Sequence, residues 1–122
     1  MNKIKNRKFV IVIPARFKSS RFPGKPLAKI KGKPMIYHVW KQCIKAVSGD
    51  NVFIATDDKK IEDVCKKYSM NCQMTSSKCK TGTDRMYDFS KKISSEIYIN
   101  VQGDEPQINP KDIKKIINLG LR

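Results

Sequence analysis

The sequence predicts an α/β protein: a Rossmann-like, mainly parallel sheet flanked by helices. Two patterns carry this expectation. Short β-branched and aromatic runs, such as Phe9–Ile13 and Asn51–Thr56, alternate along the chain with longer stretches whose apolar residues recur at helical spacing. Each run also ends abruptly in Pro, Gly or charged residues, as a strand does where it leaves a sheet. Strands that alternate with helices in this way pair in parallel through right-handed crossovers.

The first run, Phe9-Val10-Ile11-Val12-Ile13, ends at Pro14 and is apolar on both alternating faces. That suits a central strand covered on both sides. The loop after it carries Arg16, Lys18, Arg21 and Lys25, with Ser19, Ser20 and Gly24 between them. Arg forks grip phosphate oxygens in pairs, Lys acts as a point charge, and Gly lets backbone N–H groups approach closely. Such a loop is suited to a polyanion.

Leu27 to Ile30 reads as a short extended piece and Lys31 to Pro34 as a turn, with Pro34 in the first turn of a helix. Met35, Ile36, Val39, Trp40, Cys43, Ile44 and Val47 give that helix its apolar stripe, and Ser48-Gly49-Asp50 ends it. His38, alone on this helix, reads as a packing residue. Asn51–Thr56 is a second buried strand, closed by Asp57-Asp58, which stand where they can cap the next helix. That helix carries Ile61, Val64, Cys65 and Tyr68. A short third strand, Asn71–Thr75, precedes a polar loop, Ser76–Gly82, and a helix from Thr83 bearing Met86 and Phe89. Glu96–Val101 is the fourth strand, and Pro110 opens a last helix with Ile113, Ile116, Ile117 and Leu119.

A chain of 122 residues suffices for one α/β core. Its formal charge of +15 alone would suggest a nucleic-acid partner. Yet 21 of the 26 basic residues are Lys, scattered from Lys3 to Lys115 without interleaved aromatics, so no nucleic-acid partner is expected. Cys43, Cys65, Cys72 and Cys79 form no C-x-x-C pair and have no companion histidine spacing, which argues against zinc. The basic residues 1–8 lead into a strand rather than a secretory core, and no apolar run approaches a membrane span. A soluble cytoplasmic protein with reduced thiols and no membrane partner is the expectation.

Three strand-end loops carry the chemistry, because ligands in open α/β sheets bind at the carboxyl ends of the strands. The first, PAR-x-x-S-x-R-x-PGKPL, resembles the opening signature of sugar-acid cytidylyltransferases, and in particular of 3-deoxy-manno-octulosonate (Kdo) cytidylyltransferases. The second, Met74-Thr75-Ser76 to Thr81-Gly82-Thr83-Asp84-Arg85, resembles that family's MTS…GT-x-R segment. It departs where the family often has His at Cys79 and Ser at Thr81. The third, Asn100-Val101-Gln102-Gly103-Asp104-Glu105-Pro106, resembles the NVQGDEP segment of the Kdo branch rather than the sialic-acid branch.

The resemblance implies a nucleotide-diphospho-sugar transferase fold with residues 9–122 as its nucleotide-binding part, behind a basic tail of residues 1–8. It implies that Ala15, Arg16, Ser20, Arg21, Lys25, Thr75, Gly82 and Arg85 hold CTP, and that Gln102 lies at the substrate end. Asp104 would bind Mg²⁺, and Arg16, Arg21, Lys25 and Asp104 would carry catalysis. The implied reaction joins CTP and Kdo into CMP-Kdo and pyrophosphate for lipopolysaccharide synthesis, in a family whose full-length members are homodimers. The match runs from residue 9 to 117 but covers only the N-terminal half of a family member, so the domain is expected to be truncated. The other half would supply a second metal-binding aspartate, much of the sugar pocket and the dimer contacts. Open alternatives are a CTP-binding but inactive half-domain of a truncated or split enzyme, a sialic-acid-type enzyme, and a basic nucleic-acid-binding protein.

Overall fold

The structure, a computed structural model, describes residues 7–18 and 23–120. In chain order the elements are β1 (Arg7–Pro14), a 3₁₀ turn at Lys25–Leu27, β2 (Lys29–Ile30), β3 (Lys33–Pro34) and α1 (Met35–Ala46). A 3₁₀ turn at Gly49–Asn51 then leads to β4 (Val52–Thr56), α2 (Lys59–Lys67), β5 (Cys72–Met74), α3 (Gly82–Lys92), β6 (Ser95–Asn100) and α4 (Pro110–Gly120). Among the described residues the main sheet has the order β5-β4-β1-β6, and all three of its pairings are parallel.

The expected central strand is β1. Val10, Ile11, Val12 and Ile13 are all fully buried. Because successive strand side chains point to opposite faces, Ile11 and Ile13 join one core and Val10 and Val12 another. The larger core takes in Ile36, Val39 and Cys43 of α1, Ile61 and Cys65 of α2, and Ile113 and Ile117 of α4. The smaller is centred on Phe89 of α3, whose ring meets Phe53 edge-on at 5.6 Å. Truncating Phe89 would cost about 3–5 kcal/mol, since no second helix joins that cluster among the described residues.

Local signals act where they were expected, with small shifts. Asp58 caps α2, its Oδ1 accepting from the N–H groups of Lys60 and Ile61 at 2.8 and 3.3 Å. Thr81 caps α3, accepting from Asp84 N–H at 3.0 Å, so this helix starts at Gly82 rather than Thr83. Pro34 stands just before α1 and also pairs in β3. The extended piece and the turn prove to be a two-stranded antiparallel hairpin, β2–β3, turned by Lys31 and Gly32 at φ 51° and 80°. His38 has its Nε2 2.6 Å from the carbonyl of Ile30, a packing role.

The chain winds from β1 to β4 to β5 on one side, then crosses through α3 to place β6 on the other side of β1. Strand order therefore reverses between β1 and β6. Their carboxyl ends diverge at this point, and a crevice opens there.

Candidate functional site

The crevice at the ends of β1 and β6 is a cleft of about 300 Å³. Pro14, Ala15 and Arg16 enter it from β1, Lys25 and Pro26 from the following loop, Gly82 and Arg85 from the start of α3, and Asn100 with Gln102-Gly103-Asp104 from β6. Ala15 is anchored by its N–H to the Ala55 carbonyl at 2.9 Å, and Val101 by its N–H to Val12 at 3.0 Å. The sheet ladder thus continues one residue past each strand and fixes the cleft walls.

Two glycines make the cleft possible. Gly24 has φ 76°, a left-handed conformation that disfavours a side chain, and it directs Lys25 inward after its N–H bonds the Phe17 carbonyl at 2.6 Å. Gly103 passes so close to β1 that a Cβ there would lie 2.8 Å from the Pro14 carbonyl oxygen. Only that approach brings Asp104 next to Lys25, with Nζ and Oδ2 3.2 Å apart.

Arg85 is a further cation of the cleft, and it is built in. Its side chain is 1% exposed, Nη1 donates to Thr75 Oγ1 at 2.6 Å, and Nη2 stands 4.0 Å from the Asp57 carboxylate. Its Nε is buried with no partner among the described residues. A buried donor left unpaired is costly, so this atom is a ready contact for an acceptor on a ligand. Arg85 also faces an adjoining hollow of about 280 Å³, lined by Arg16, Lys18, Asp57, Asp58, Ser77, Cys79 and Arg85 itself. Arg16 borders both spaces, its Nη1 within 3.4 Å of the Lys80 carbonyl.

The loop between β5 and α3 is pinned by acids. Asp88 accepts from Ser76 N–H at 2.9 Å and from Lys92 at 2.6 Å, and Asp84 accepts from Lys80 N–H at 3.1 Å. The Lys92 bond, with that from Ser76, holds the Asp88 carboxyl below the usual carboxylate range.

The structure gathers Ala15, Arg16, Lys25, Gly82, Arg85, Gln102 and Asp104 around one cleft, as three separate sequence motifs implied. Thr75 is placed differently. It is buried behind Arg85, which it orients, and it lines neither hollow. Ser20 and Arg21 lie outside the described residues. Asp57 and Gly103 are not among the residues that the three motifs imply for the site. Asp57 reads as a second cap beside Asp58, and only the packing of α3 against the sheet reveals its partner. Gly103 was visible as the glycine beside an acid, but its close approach to β1 depends on strand order.

In chemical terms the cleft offers one fixed buried guanidinium, a second guanidinium and an ammonium at the rim, and one half-exposed carboxylate, Asp104. That is a receptacle for an extended polyanion with room for a hard cation beside it. Magnesium takes oxygen ligands, commonly one or two carboxylates plus substrate phosphates. Asp104 fits such a shared site, while no group of three or more His, Cys, Asp or Glu among the described residues could cage a metal alone.

Comparison with known proteins points the same way. Residues 10–119 match the protein family described as "Cytidylyltransferase". The 3-deoxy-manno-octulosonate cytidylyltransferase of Escherichia coli is 44% identical over 115 residues, 94% of this chain and 46% of that one. That of Pelobacter propionicus is 49% identical over 106 residues, 87% of this chain and 42% of that one. A solved structure of CMP:2-keto-3-deoxy-manno-octonic acid synthetase complexed with CTP superposes with a TM-score of 0.87 at 44% identity, over 91% of this chain and 46% of the other. The chain spans about half the length of the curated relatives it matches. Among the described residues no helix is long and apolar enough to cross a membrane. With the family match covering nearly every described residue and the three motifs meeting in one cleft, the chain belongs to the cytidylyltransferase family.

Proposed function

We propose that this chain is the nucleotide-binding part of a cytidylyltransferase that activates Kdo with CTP, giving CMP-Kdo and pyrophosphate for lipopolysaccharide synthesis. One observation carries the reading: Arg16, Lys25, Arg85, Gln102 and Asp104, drawn from three distant motifs, line a single cleft at the strand-order reversal. The triphosphate would lie along Lys25 and Arg16, which neutralise the charge that grows on the departing pyrophosphate. Arg85, held by Thr75, would supply its unpaired Nε–H to an acceptor on the nucleotide. Gln102 would meet the sugar, whose anomeric hydroxyl attacks the α-phosphorus in line. Arg21 and Ser20 join the phosphate contacts in this reading on the strength of the motif.

Mg²⁺ is part of the proposal, with Asp104 as its protein ligand; when bound with CTP it supplies charge neutralisation on the phosphates. Lys25 then has to exchange its 3.2 Å contact with Asp104 for a phosphate oxygen. The four cysteines are free thiols, as suits the cytoplasm, where we place the protein. We expect no nucleic-acid or membrane partner, and a homodimer in the full-length enzyme.

A second reading has its own observation. The described residues offer the cleft one carboxylate, and the matched relatives are about twice as long. The chain alone would then hold CTP without turning it over. Pyrophosphate release, measured with CTP, Mg²⁺ and either Kdo or sialic acid, separates the cases. Release that requires Kdo supports the enzyme, and bound CTP without release supports the half-domain. Release with sialic acid but not with Kdo overturns the substrate assignment.

A further inference from the structure

The basic loop after β1 has a neck, and one aromatic ring closes it. Phe17 stands between Arg16 and Lys18, and Gly24 directly precedes Lys25. The Phe17 carbonyl accepts the Gly24 N–H at 2.6 Å, which joins the two sides of the neck. The Phe17 ring stands so close to Gly24 that a Cβ there would meet two of its carbons at 3.1 and 3.3 Å. Lys60, in the first turn of α2, sets its Nζ 4.4 Å from the centroid of the same ring. The ring is half-buried and packs on the larger core as well.

We propose that Phe17 is a positioning residue of the polyanion site, its ring fixing the backbone from which Arg16, Lys18 and Lys25 reach the ligand. The inference rests on the triphosphate reading above. Lys25 lines the cleft, Lys18 the adjoining hollow, and Arg16 both. Each of the three is the immediate neighbour in sequence of Phe17 or Gly24.

The side chains themselves are loosely held. Arg16 reaches the Lys80 carbonyl only at 3.4 Å, and Lys25 meets the half-exposed Asp104. Neither has a buried partner of the kind that Thr75 is to Arg85. Their placement therefore comes from the backbone, and the neck sets that backbone. A fixed starting point lowers the entropy lost when long basic side chains settle on phosphate oxygens, while leaving the side chains free to swing. A leucine would keep apolar bulk at the neck, but it has no ring face for the Lys60 ammonium.

Tripolyphosphate, CTP and CMP are the probes, titrated by calorimetry into the full chain and its variants, with folding checked by denaturant. Phe17→Leu should weaken tripolyphosphate and CTP by roughly tenfold, and CMP by less than about twofold, because CMP lacks the outer phosphates. Phe17→Tyr keeps the ring and should keep the wild-type affinities. In a Lys25→Ala background the Phe17→Leu loss should shrink to about threefold, since one cation that the neck positions is gone. Phe17→Met replaces Phe17→Leu in each arm if the latter does not fold. Equal tripolyphosphate affinity with and without the ring, an equal loss for CMP, or a Phe17→Tyr loss as large as that of Phe17→Leu overturns the inference. A wild type that binds tripolyphosphate but not CTP overturns the nucleotide reading instead, and a tenfold tripolyphosphate loss in Phe17→Leu then still supports the neck.

Discussion

Two cation–carboxylate pairs, one within the cleft and one reaching from it into the adjoining hollow, are built in opposite ways. Lys25 and Asp104 are 40% and 52% exposed, 3.2 Å apart, and come from loops after different strands. Arg85 is 1% exposed, lies 4.0 Å from a partly covered Asp57, and is fixed by a 2.6 Å bond to buried Thr75. An exposed pair in water is worth ~0–1 kcal/mol, so Lys25 and Asp104 can part at little cost for the phosphate and metal of the proposed function. A buried guanidinium cannot move without leaving unpaired groups behind. One end of the cleft is therefore rigid and belongs to the fold. The other is adjustable and belongs to the ligand.

The largest effect expected from this contrast is at Arg85. Arg85→Met keeps bulk but strands the Thr75 hydroxyl and removes the partner of Asp57. Stability should fall by about 2–3 kcal/mol, and nucleotide affinity by roughly tenfold or more. Lys25→Ala should reduce affinity with less than about 0.5 kcal/mol of destabilisation. Denaturant titration alongside nucleotide binding makes the check, and a Lys25 variant as unstable as the Arg85 one would erase the distinction.

Gly103→Ala sharpens it in a second way. Its Cβ would collide with the Pro14 carbonyl at 2.8 Å, so the backbone carrying Asp104 must retreat. The expected result is loss of most metal-dependent nucleotide binding, with destabilisation of about 1–3 kcal/mol from the clash. Metal-dependent affinity equal to the wild type would show that Asp104 does not need this approach.

Asp88, which pins the rigid side's loop, should give the smallest effect. Its folded carboxyl is held below the unfolded value, so its contribution is present above the ordinary carboxylate range near ~3.9 and is lost as pH falls through the folded value. Asp88→Asn should cost about 1 kcal/mol or less at pH 7, a gap that closes under acid conditions. Stability measured at pH 7 and pH 3 tests this; a difference that widens toward acid would contradict it.

Much of this molecule was legible from its residues, for physical reasons that also mark the limit. The run Val10–Ile13 is apolar on both faces, which only a covered central strand requires, and Asp58 and Thr81 are side chains whose capping chemistry is local. The cleft residues were legible because three motifs follow three strands, and parallel topology sends all strand ends to one edge. Contacts that depend on packing were not. Nothing near Asp57 in the chain points to Arg85, and Thr75 sits behind the cleft rather than in it because Arg85 folds back over it. The β2–β3 hairpin was missed because two-residue strands leave no periodicity to read.

In the proposed function the adjustable end of the cleft binds a nucleotide triphosphate through Lys25 and, with Mg²⁺, through Asp104. Calorimetric titration of CTP with and without Mg²⁺ into wild type, Lys25→Ala and Asp104→Asn tests it directly. Lys25→Ala should weaken binding in both conditions, whereas Asp104→Asn should remove the gain from Mg²⁺ and leave metal-free binding nearly intact. Equal affinities in all three proteins, or an Asp104→Asn loss of the same size without metal, would contradict it.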